Sequence, residues 1–503
     1  MAYTGAASSL VHQGSMRVPT AEWDRPDSTS ALSLWPPGFP AVIALPVFLG
    51  ASPIQAARWI NIVAAATTAA LVVVLIAGPI GVWTGVIGAA TVFATQSVFD
   101  THISVLSEPI FIALLLVFLA VMVYARDRLL LMGVLAAAIV MVRYAGVAAP
   151  AAAVVWTLLD SRHDWGTRLR RTVMVAVLPV VVVALWVMRT AAAPDRHATQ
   201  HLHVYGGWGP TLLQGRDTLA EWLAPLLADG TLQRIVALVL ALVLAAFVVA
   251  AAADTGGGRW RKLRFGGVST LLGATSLLAL FYVLTILASR AFVGGTIPLD
   301  GRILAPLIVL MEIAVVTAVG HWWRAYHFPL HALITVVWLV WFGAAVTTTA
   351  NDAIYATTEG SDFAGTRWRT SPLVAWVRDN ARGRPVYSNW PPALYFYAHR
   401  IARELPDSTD AEDVSGFAEQ LRADHGYVVG FDERSPDFMS PVTLARTLGL
   451  RQVVRTADGA VWAADSGAMS TPSAAPVSSA LDTAGVRDSA ARGSGPEVAQ
   501  RRR

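Results

Sequence analysis

Long apolar runs alternate with short polar breaks over the middle of this chain, while polar residues gather at its two ends and in one central stretch. The runs cover 54–76, 81–99, 108–125, 129–143, 146–159, 173–190, 231–253, 267–289, 303–320 and 329–350. A helix crossing a bilayer needs about 20 mostly apolar residues, because no water is present to satisfy its backbone groups. The fourth and fifth runs are short and meet at Arg143-Tyr144-Ala145-Gly146, as a broken or re-entrant pair would. The pattern predicts a polytopic α-helical membrane protein with about ten transmembrane helices.

The polar stretches predict the remaining organisation. Residues 1–39 carry turn signals at Arg25-Pro26-Asp27 and Pro36-Pro37-Gly38, and no apolar segment of signal-peptide type opens them. Residues 40–350 form the transmembrane region, interrupted by a long loop at 191–230 rich in Trp, Gly and His. Residues 351–466 read as a small α/β domain. Helical patterns at 372–380, 392–399, 413–423 and 442–448 alternate there with strand patterns at 385–388, 401–405 and 427–431, and a hairpin at 452–455 and 460–464 closes it. From 467 to 503 the chain is rich in Ser, Ala, Pro and Gly, a composition expected to be disordered.

Composition strengthens the membrane reading. Of 503 residues, 55% are hydrophobic and 14% charged, against about 25% charged in ordinary soluble domains. The net charge of +4 is too small to point to a nucleic-acid partner. Cysteine is absent, which excludes disulfides, thiol catalysis and Cys metal sites. Lys262 is the only lysine, so nearly all positive charge is arginine.

Arginine placement sets an orientation. One set of alternate loops carries Arg126 and Arg128, then Arg162, Arg168, Arg170 and Arg171, then Arg259, Arg261, Lys262 and Arg264, and finally Arg324. The opposite set carries Arg143, Arg196, Arg216, Arg290 and Arg302, a ratio of 11 to 5. The first set is expected to be cytoplasmic. A multi-pass protein of the plasma membrane follows, with its large loops and C-terminus extracytoplasmic.

The expected outer side also holds the candidate chemistry. Charge near membrane depth is costly and needs a reason. Asp100, His102 and Glu108 fall in and after the short break behind 81–99, and Glu108 opens the next helix one residue before Pro109. A carboxylate suits a helix start, so a simple first-turn charge is the plainer reading of Glu108. Arg143 stands where two short helices meet, as either a snorkelling anchor or a ligand contact. Asp300-Gly301-Arg302 precedes 303–320, as either a solvated pair or a site for a phosphate or hydroxyl ligand. His197, His201, His203 and Tyr205 lie in the central loop without nearby carboxylates, which fits a polar loop better than a metal site. The span middles look nearly free of charge. That favours chemistry at the interface over a transport path, since transporters keep such groups near the midplane.

From Tyr3 to Trp462, the ordered motifs resemble the C-type-fold (GT-C) membrane glycosyltransferases that use polyprenyl-phosphate donors. This group includes the protein O-mannosyltransferases and lipid A aminoarabinose transferases. Tyr3…Ala6-Ala7-Ser8-Ser9-Leu10…Gly14 followed by Trp35-Pro36-Pro37-Gly38-Phe39-Pro40 is similar to a first external loop with a juxtamembrane helix. Ser107-Glu108-Pro109-Ile110-Phe111 resembles a Ser-Glu-Pro-Leu-Phe helix start, and Val142-Arg143-Tyr144 resembles the arginine after the next helix. Asp300-Gly301-Arg302-Ile303-Leu304-Ala305-Pro306 is similar to an Asp-x-Arg-Tyr-Leu-x-Pro helix start. Pro385-Val386-Tyr387-Ser388-Asn389 and Arg400-Ile401-Ala402-Arg403-Glu404-Leu405-Pro406 resemble the external domain of bacterial members.

The resemblance implies transfer of a sugar from a polyprenyl-phosphate carrier to an acceptor hydroxyl outside the membrane, with inversion at the anomeric carbon. The acceptor would be a protein, a lipid or a cell-envelope glycan, and membrane lipid would be a partner. It implies that Glu108 and Asp300 are catalytic carboxylates, and that His102, Arg143 and Arg302 bind substrate. No metal ligands are assigned, although carboxylates beside a phosphate leave room for a divalent Mg or Mn. One departure stands out. The family's catalytic Asp follows a first spanning helix, just before the aromatic that Tyr3 matches, and neither precedes Tyr3 here. Met1 is therefore expected to be an internal Met of a longer protein with eleven spans; a shortened, inactive relative is the other reading. Asp24 and Asp27 have no spacing that argues for a substitute. A transporter or lipid flippase, or a non-catalytic scaffold, remains as the reading from a different class.

Overall fold

The computed structural model describes residues 2–19, 23, 29–192, 204, 206–227, 230–256, 267–293, 297–325, 330–360, 365–406, 411–433 and 438–464. His197, His201, His203, Tyr205, Asp24, Asp27 and the 467–503 tail lie outside them. Each of the ten apolar runs coincides with helix. The chain opens with α1 (Ala2–Gln13), a two-strand pairing of β1 (Arg17–Val18) with β2 (Ser30–Ala31), and α2 (Gly38–Phe48). Then come α3 (Pro53–Ala77), α4 (Val82–Ala94), α5 (Gln96–Ile103), α6 (Glu108–Tyr124), α7 (Leu129–Val142), α8 (Ala148–Leu158) and α9 (Trp165–Ala192). The second half of the bundle is α10 (Trp208–Leu223), α11 (Thr231–Gly256), α12 (Val268–Phe292), α13 (Gly301–Ala325) and α14 (Leu330–Thr358).

Six of these helices, α3, α9 and α11 to α14, are long and apolar enough to cross a membrane. The α4–α5 pair passes the same test only when taken together, and it is bent by 72° at a break, as a broken span or a re-entrant loop would be. The helices α6, α7 and α8 are shorter. Most of α6 is buried in the main core cluster, whereas α7 buries one face there and exposes Leu130, Leu131 and Val134 on the other. By contrast, the apolar windows of α11 and α14 are only 11% buried. Leu238, Leu242, Leu333 and Val337 stand out there in the open. Faces of this kind suit hydrocarbon as solvent and belong to a membrane protein.

Local chemistry explains several starts and breaks. Ser52 accepts a hydrogen bond from Gln55 N at 3.3 Å, with Pro53 at the first helical position of α3. Asp300 does the same for α13, accepting from Ile303 N at 2.9 Å. Thr95 adopts an extended backbone between α4 and α5, which turns the chain. Arg143 is also extended, and a 3-10 turn at Tyr144–Val147 leads into α8. A Cβ on Gly146 would meet Ile139 O at 2.6 Å, so only glycine lets the chain fold back against α7.

Two parts differ from the sequence expectations. The stretch 191–230 is not simply a loop, because α10 occupies much of it. Its helix is fastened by Gln214 and Thr218, which bond to the backbone of Leu299 at 3.1 Å each. The apolar segment at 38–48, unassigned by the run pattern, forms α2.

Beyond α14 come α15 (Thr366–Arg369), α16 (Pro372–Asn380), β3 (Val386–Ser388), α17 (Pro391–Tyr397), β4 (Arg403–Glu404), α18 (Ala411–Ala423), β5 (Tyr427–Phe431), α19 (Pro441–Thr447), β6 (Arg451–Arg455) and β7 (Gly459–Ala463). The five strands form one mixed sheet in the order β4-β3-β5-β7-β6. β3 runs parallel to β4 and β5, and β7 runs antiparallel to β5 and β6. Alternation along the strands divides two cores. Val386, Val429 and Val461 pack with α16 and α17, whereas Tyr387, Val428 and Trp462 pack with α18 and α19. Trp23 of the N-terminal segment meets Phe417 of α18 edge to face at 5.8 Å. The first segment and the sheet therefore lie at the same end of the bundle.

Candidate functional site

A cavity of about 1450 Å³ opens at that end, between the bundle and the sheet. Asp100 of α5, also noted by sequence, lines it, as do four of the five residues to which the resemblance gave roles: Glu108, Arg143, Asp300 and Arg302. They come from the start of α6, the end of α7 and the start of α13. Positions up to 194 residues apart (302 − 108) therefore share one hollow.

At its floor, Arg143 Nη1 lies 2.5 Å from Glu108 Oε1, and Arg302 Nε lies 3.5 Å from the same oxygen. Arg143 Nη1 also donates to Ser107 Oγ at 3.3 Å, and the Tyr3 hydroxyl stands 3.3 Å from that Oγ. Tyr282 closes the floor, donating from its hydroxyl to Ile303 O at 2.8 Å. The Glu108 side chain is 1% exposed, while that of Arg302 is 46% exposed. One buried carboxylate thus steers two guanidiniums, and the pair of arginines exceeds it by one positive charge. A guanidinium carries five N–H donors in a planar fork, so Arg302 keeps most of its donors for a ligand in the cavity.

His102 stands apart. It is not among the cavity-lining residues; its Nδ1 lies 2.7 Å from Val98 O and its ring packs on Phe93 at 5.2 Å. Its neighbours Thr101 and Ile103 line the cavity instead. One step along a helix rotates a side chain by about 100°, and that step turns His102 inward. Its expected role as a substrate ligand does not fit this placement.

The cavity also recruits residues that sequence reasoning passed over. Arg58, Glu221 and Glu404 line it as well; Glu404 lies within the motif at 400–406 but was given no role there, and Arg58 and Glu221 carry no motif. Another missed residue lies below it. Glu312 sits in the middle of α13, 3% exposed, contrary to the expectation of nearly charge-free span middles. Its Oε1 accepts from Thr95 Oγ1 at 2.5 Å and from Trp222 Nε1 at 2.9 Å. Thr95 marks the α4–α5 break and Trp222 ends α10, and both line the cavity. Trp222 O in turn accepts from Trp341 Nε1 of α14 at 3.0 Å. Glu312 therefore joins the walls contributed by α5, α10 and α14. The sequence signal was present, since an acid within an apolar run is costly and seldom idle.

A close approach fixes the last wall. A Cβ on Gly301 would lie 2.6 Å from Ser97 Oγ, so glycine between Asp300 and Arg302 lets α5 abut the start of α13. Among the described residues, no group of three or more His, Asp and Glu side chains is arranged to hold a metal ion. The carboxylate of Glu108 is already engaged by arginine.

No family model matches the chain, and no curated protein matches it. Among solved structures, it is similar to ArnT from Cupriavidus metallidurans. The apo crystal structure shows 14% identity over 92% of this chain and 93% of that one, with a TM-score of 0.44. The structure of the same protein bound to undecaprenyl phosphate shows 12% identity at the same coverage, with a TM-score of 0.41. The cryo-EM structure of the arabinofuranosyltransferase AftD from Mycobacteria shows 15% identity over 93% of this chain but 39% of that one, with a TM-score of 0.45. Likenesses this distant assign no residue a role.

Proposed function

We propose that this protein is a membrane glycosyltransferase that moves a sugar from a polyprenyl-phosphate carrier to an acceptor hydroxyl at the extracytoplasmic face. The observation that carries this reading is the convergence of Glu108, Arg143, Asp300 and Arg302 on one large cavity at the bundle end. The C-type-fold motifs on which these residues lie point to the same chemistry. The smaller number of basic residues in the loops on that side, 5 against 11, supports its being external.

In this reading Arg302 and Arg143 hold the phosphate, matching its oxygens with paired donors. Glu108 orients both guanidiniums and offsets part of their charge. The acceptor oxygen bonds to the anomeric carbon as the bond from that carbon to the phosphate oxygen breaks. Polyprenyl phosphate leaves with the bonding electrons, and the hydroxyl proton passes to a carboxylate on the cavity wall, for which Asp300 is the candidate.

The test incubates membranes containing the protein with a panel of polyprenyl-phosphate sugars. Consumption of one donor, lost in Arg302→Ala, is expected; a panel left untouched would sink the reading. Glu312 favours a second reading, because an acid at mid-span is what a proton-coupled transporter would carry. Proteoliposomes that accumulate solute under a pH gradient, and lose this in Glu312→Gln, would establish transport instead.

A further inference from the structure

The part of the cavity beneath the sheet carries a lining that names a class of acceptor. The bundle side contributes aliphatic residues such as Ile286 and Ala345 together with Trp222, Tyr282 and the charged cluster at the floor. Trp390, Phe396 and Tyr397 of the α17 segment and Phe438 beyond β5 present rings, and Glu404 of β4 and Arg58 of α3 present charge. All four rings are half-buried, so their surfaces are neither lost in a core nor fully in water.

Trp390 is held in place before any ligand arrives. Its indole N–H donates to Glu433 O at 3.0 Å, and its ring packs on Trp368 at 5.8 Å. Arg58 stands close enough to Tyr397 to act on its hydroxyl electrostatically. Rigid aromatic faces flanked by a carboxylate and a guanidinium suit one ligand class best. A carbohydrate offers apolar C–H faces to rings and hydroxyls to planar charged groups, whereas a lipid chain offers only the first.

We infer that the acceptor is a carbohydrate, and that Trp390, Tyr397, Glu404 and Arg58 form its subsite beneath the sheet. The inference rests on the transferase reading and sharpens it by choosing glycan over protein or lipid. Rings and apolar contact would supply most of the affinity, and Glu404 and Arg58 would select the orientation of the hydroxyls.

The experiment uses the full chain in nanodiscs. Saturation-transfer NMR is recorded with soluble linear trisaccharides of hexose and pentose units, and with a Ser/Thr-rich peptide as the competing acceptor class. At least one trisaccharide is expected to give a saturable signal. Its affinity should fall about tenfold in Tyr397→Ala and in Trp390→Ala, the loss of one stacked ring. Trp390→Phe keeps a ring and should lose less, which separates stacking from misfolding. Glu404→Gln should weaken binding a few-fold. Polyprenyl phosphate affinity, measured on the same samples, should stay within twofold of wild type in all four variants. Saturable binding of the peptide alone, no trisaccharide signal at all, or a signal indifferent to Tyr397→Ala and Glu404→Gln would overturn the inference. Failure of wild type to bind polyprenyl phosphate would instead strike the underlying reading, whatever the trisaccharides do.

Discussion

At the first residue of α6, Glu108 meets Arg143 in a setting almost closed to water; just past the last turn of the same helix, Asp127 meets Arg171 at 2.7 Å and Arg162 at 3.5 Å in the open. The chemistry of the two clusters is the same, arginine on carboxylate. Their surroundings differ: the Glu108 side chain is 1% exposed and that of Asp127 is 58% exposed. A solvated pair forms at little cost and contributes about 0–1 kcal/mol. A buried pair must overcome the desolvation of both ions, and hydrophobic replacements are often as stable. The Asp127 cluster therefore needs only the usual reason for charge at a membrane surface. The Glu108 cluster needs another, and the anionic substrate proposed for the adjoining cavity would supply it.

The contrast can be broken most sharply at its buried end. Glu108→Gln should leave Arg143 without its counterion, with a stability cost of about 3–5 kcal/mol and sugar consumption reduced about a hundredfold or more. Thermal unfolding in detergent and donor turnover measure the two. A variant as stable and active as wild type would make the pair an ornament of the helix start.

Glu312 comes next. Glu312→Leu strands the Trp222 indole donor, at about 1–3 kcal/mol, while the Thr95 hydroxyl keeps Thr91 O as an acceptor. Glu312→Gln keeps an acceptor and should recover most of that in the same unfolding assay. Equal behaviour of the two variants would deny the carboxyl its role in joining the cavity walls.

A third case lies between buried and solvated, in the sheet. Burial pushes the Asp424 carboxyl up, but hydrogen bonds from Tyr387 and Gln420 and the charge of Arg403 outweigh it and hold the carboxyl below its ordinary range. A depressed carboxylate contributes stability above its unfolded value, and that contribution is lost as pH falls through the folded one. The Tyr387–Arg403 face should accordingly weaken on acidification below about pH 4. Asp424→Asn should flatten this part of the pH profile, as followed by near-ultraviolet circular dichroism. The smallest effect belongs to Asp127→Asn, which should shift stability by less than about 1 kcal/mol, and less again at high salt. A loss comparable with that of Glu108→Gln would erase the distinction between the two ends.

Much of the bundle was legible along the chain. Apolar runs set by lipid thickness map onto helices because each helix satisfies its own backbone, without help from distant residues. The motif residues Glu108, Arg143, Asp300 and Arg302 were legible for a similar reason, since each marks a local event: a helix start, a helix end or a cap. His102 misled because proximity in sequence to Glu108 says nothing about which way a helix turns its side chain. Arg58 and Glu221 were invisible, each arriving at the cavity from a segment with no motif of its own, and the motif that holds Glu404 gave no hint of the cavity.

By itself, then, the sequence determined that the chain lies in a membrane as helices, where those helices begin and break, and which charges are too expensive to be accidental. Only the tertiary structure decided which of these charges meet. It drew Arg302 to the carboxylate that already held Arg143, placed an acid at mid-span under three cavity walls, and laid a roof of rings over them. Hydrophobic periodicity and backbone pairing act over a few turns of chain and leave their mark on neighbours. A cavity is made by packing between segments hundreds of residues apart, and no local pattern records it.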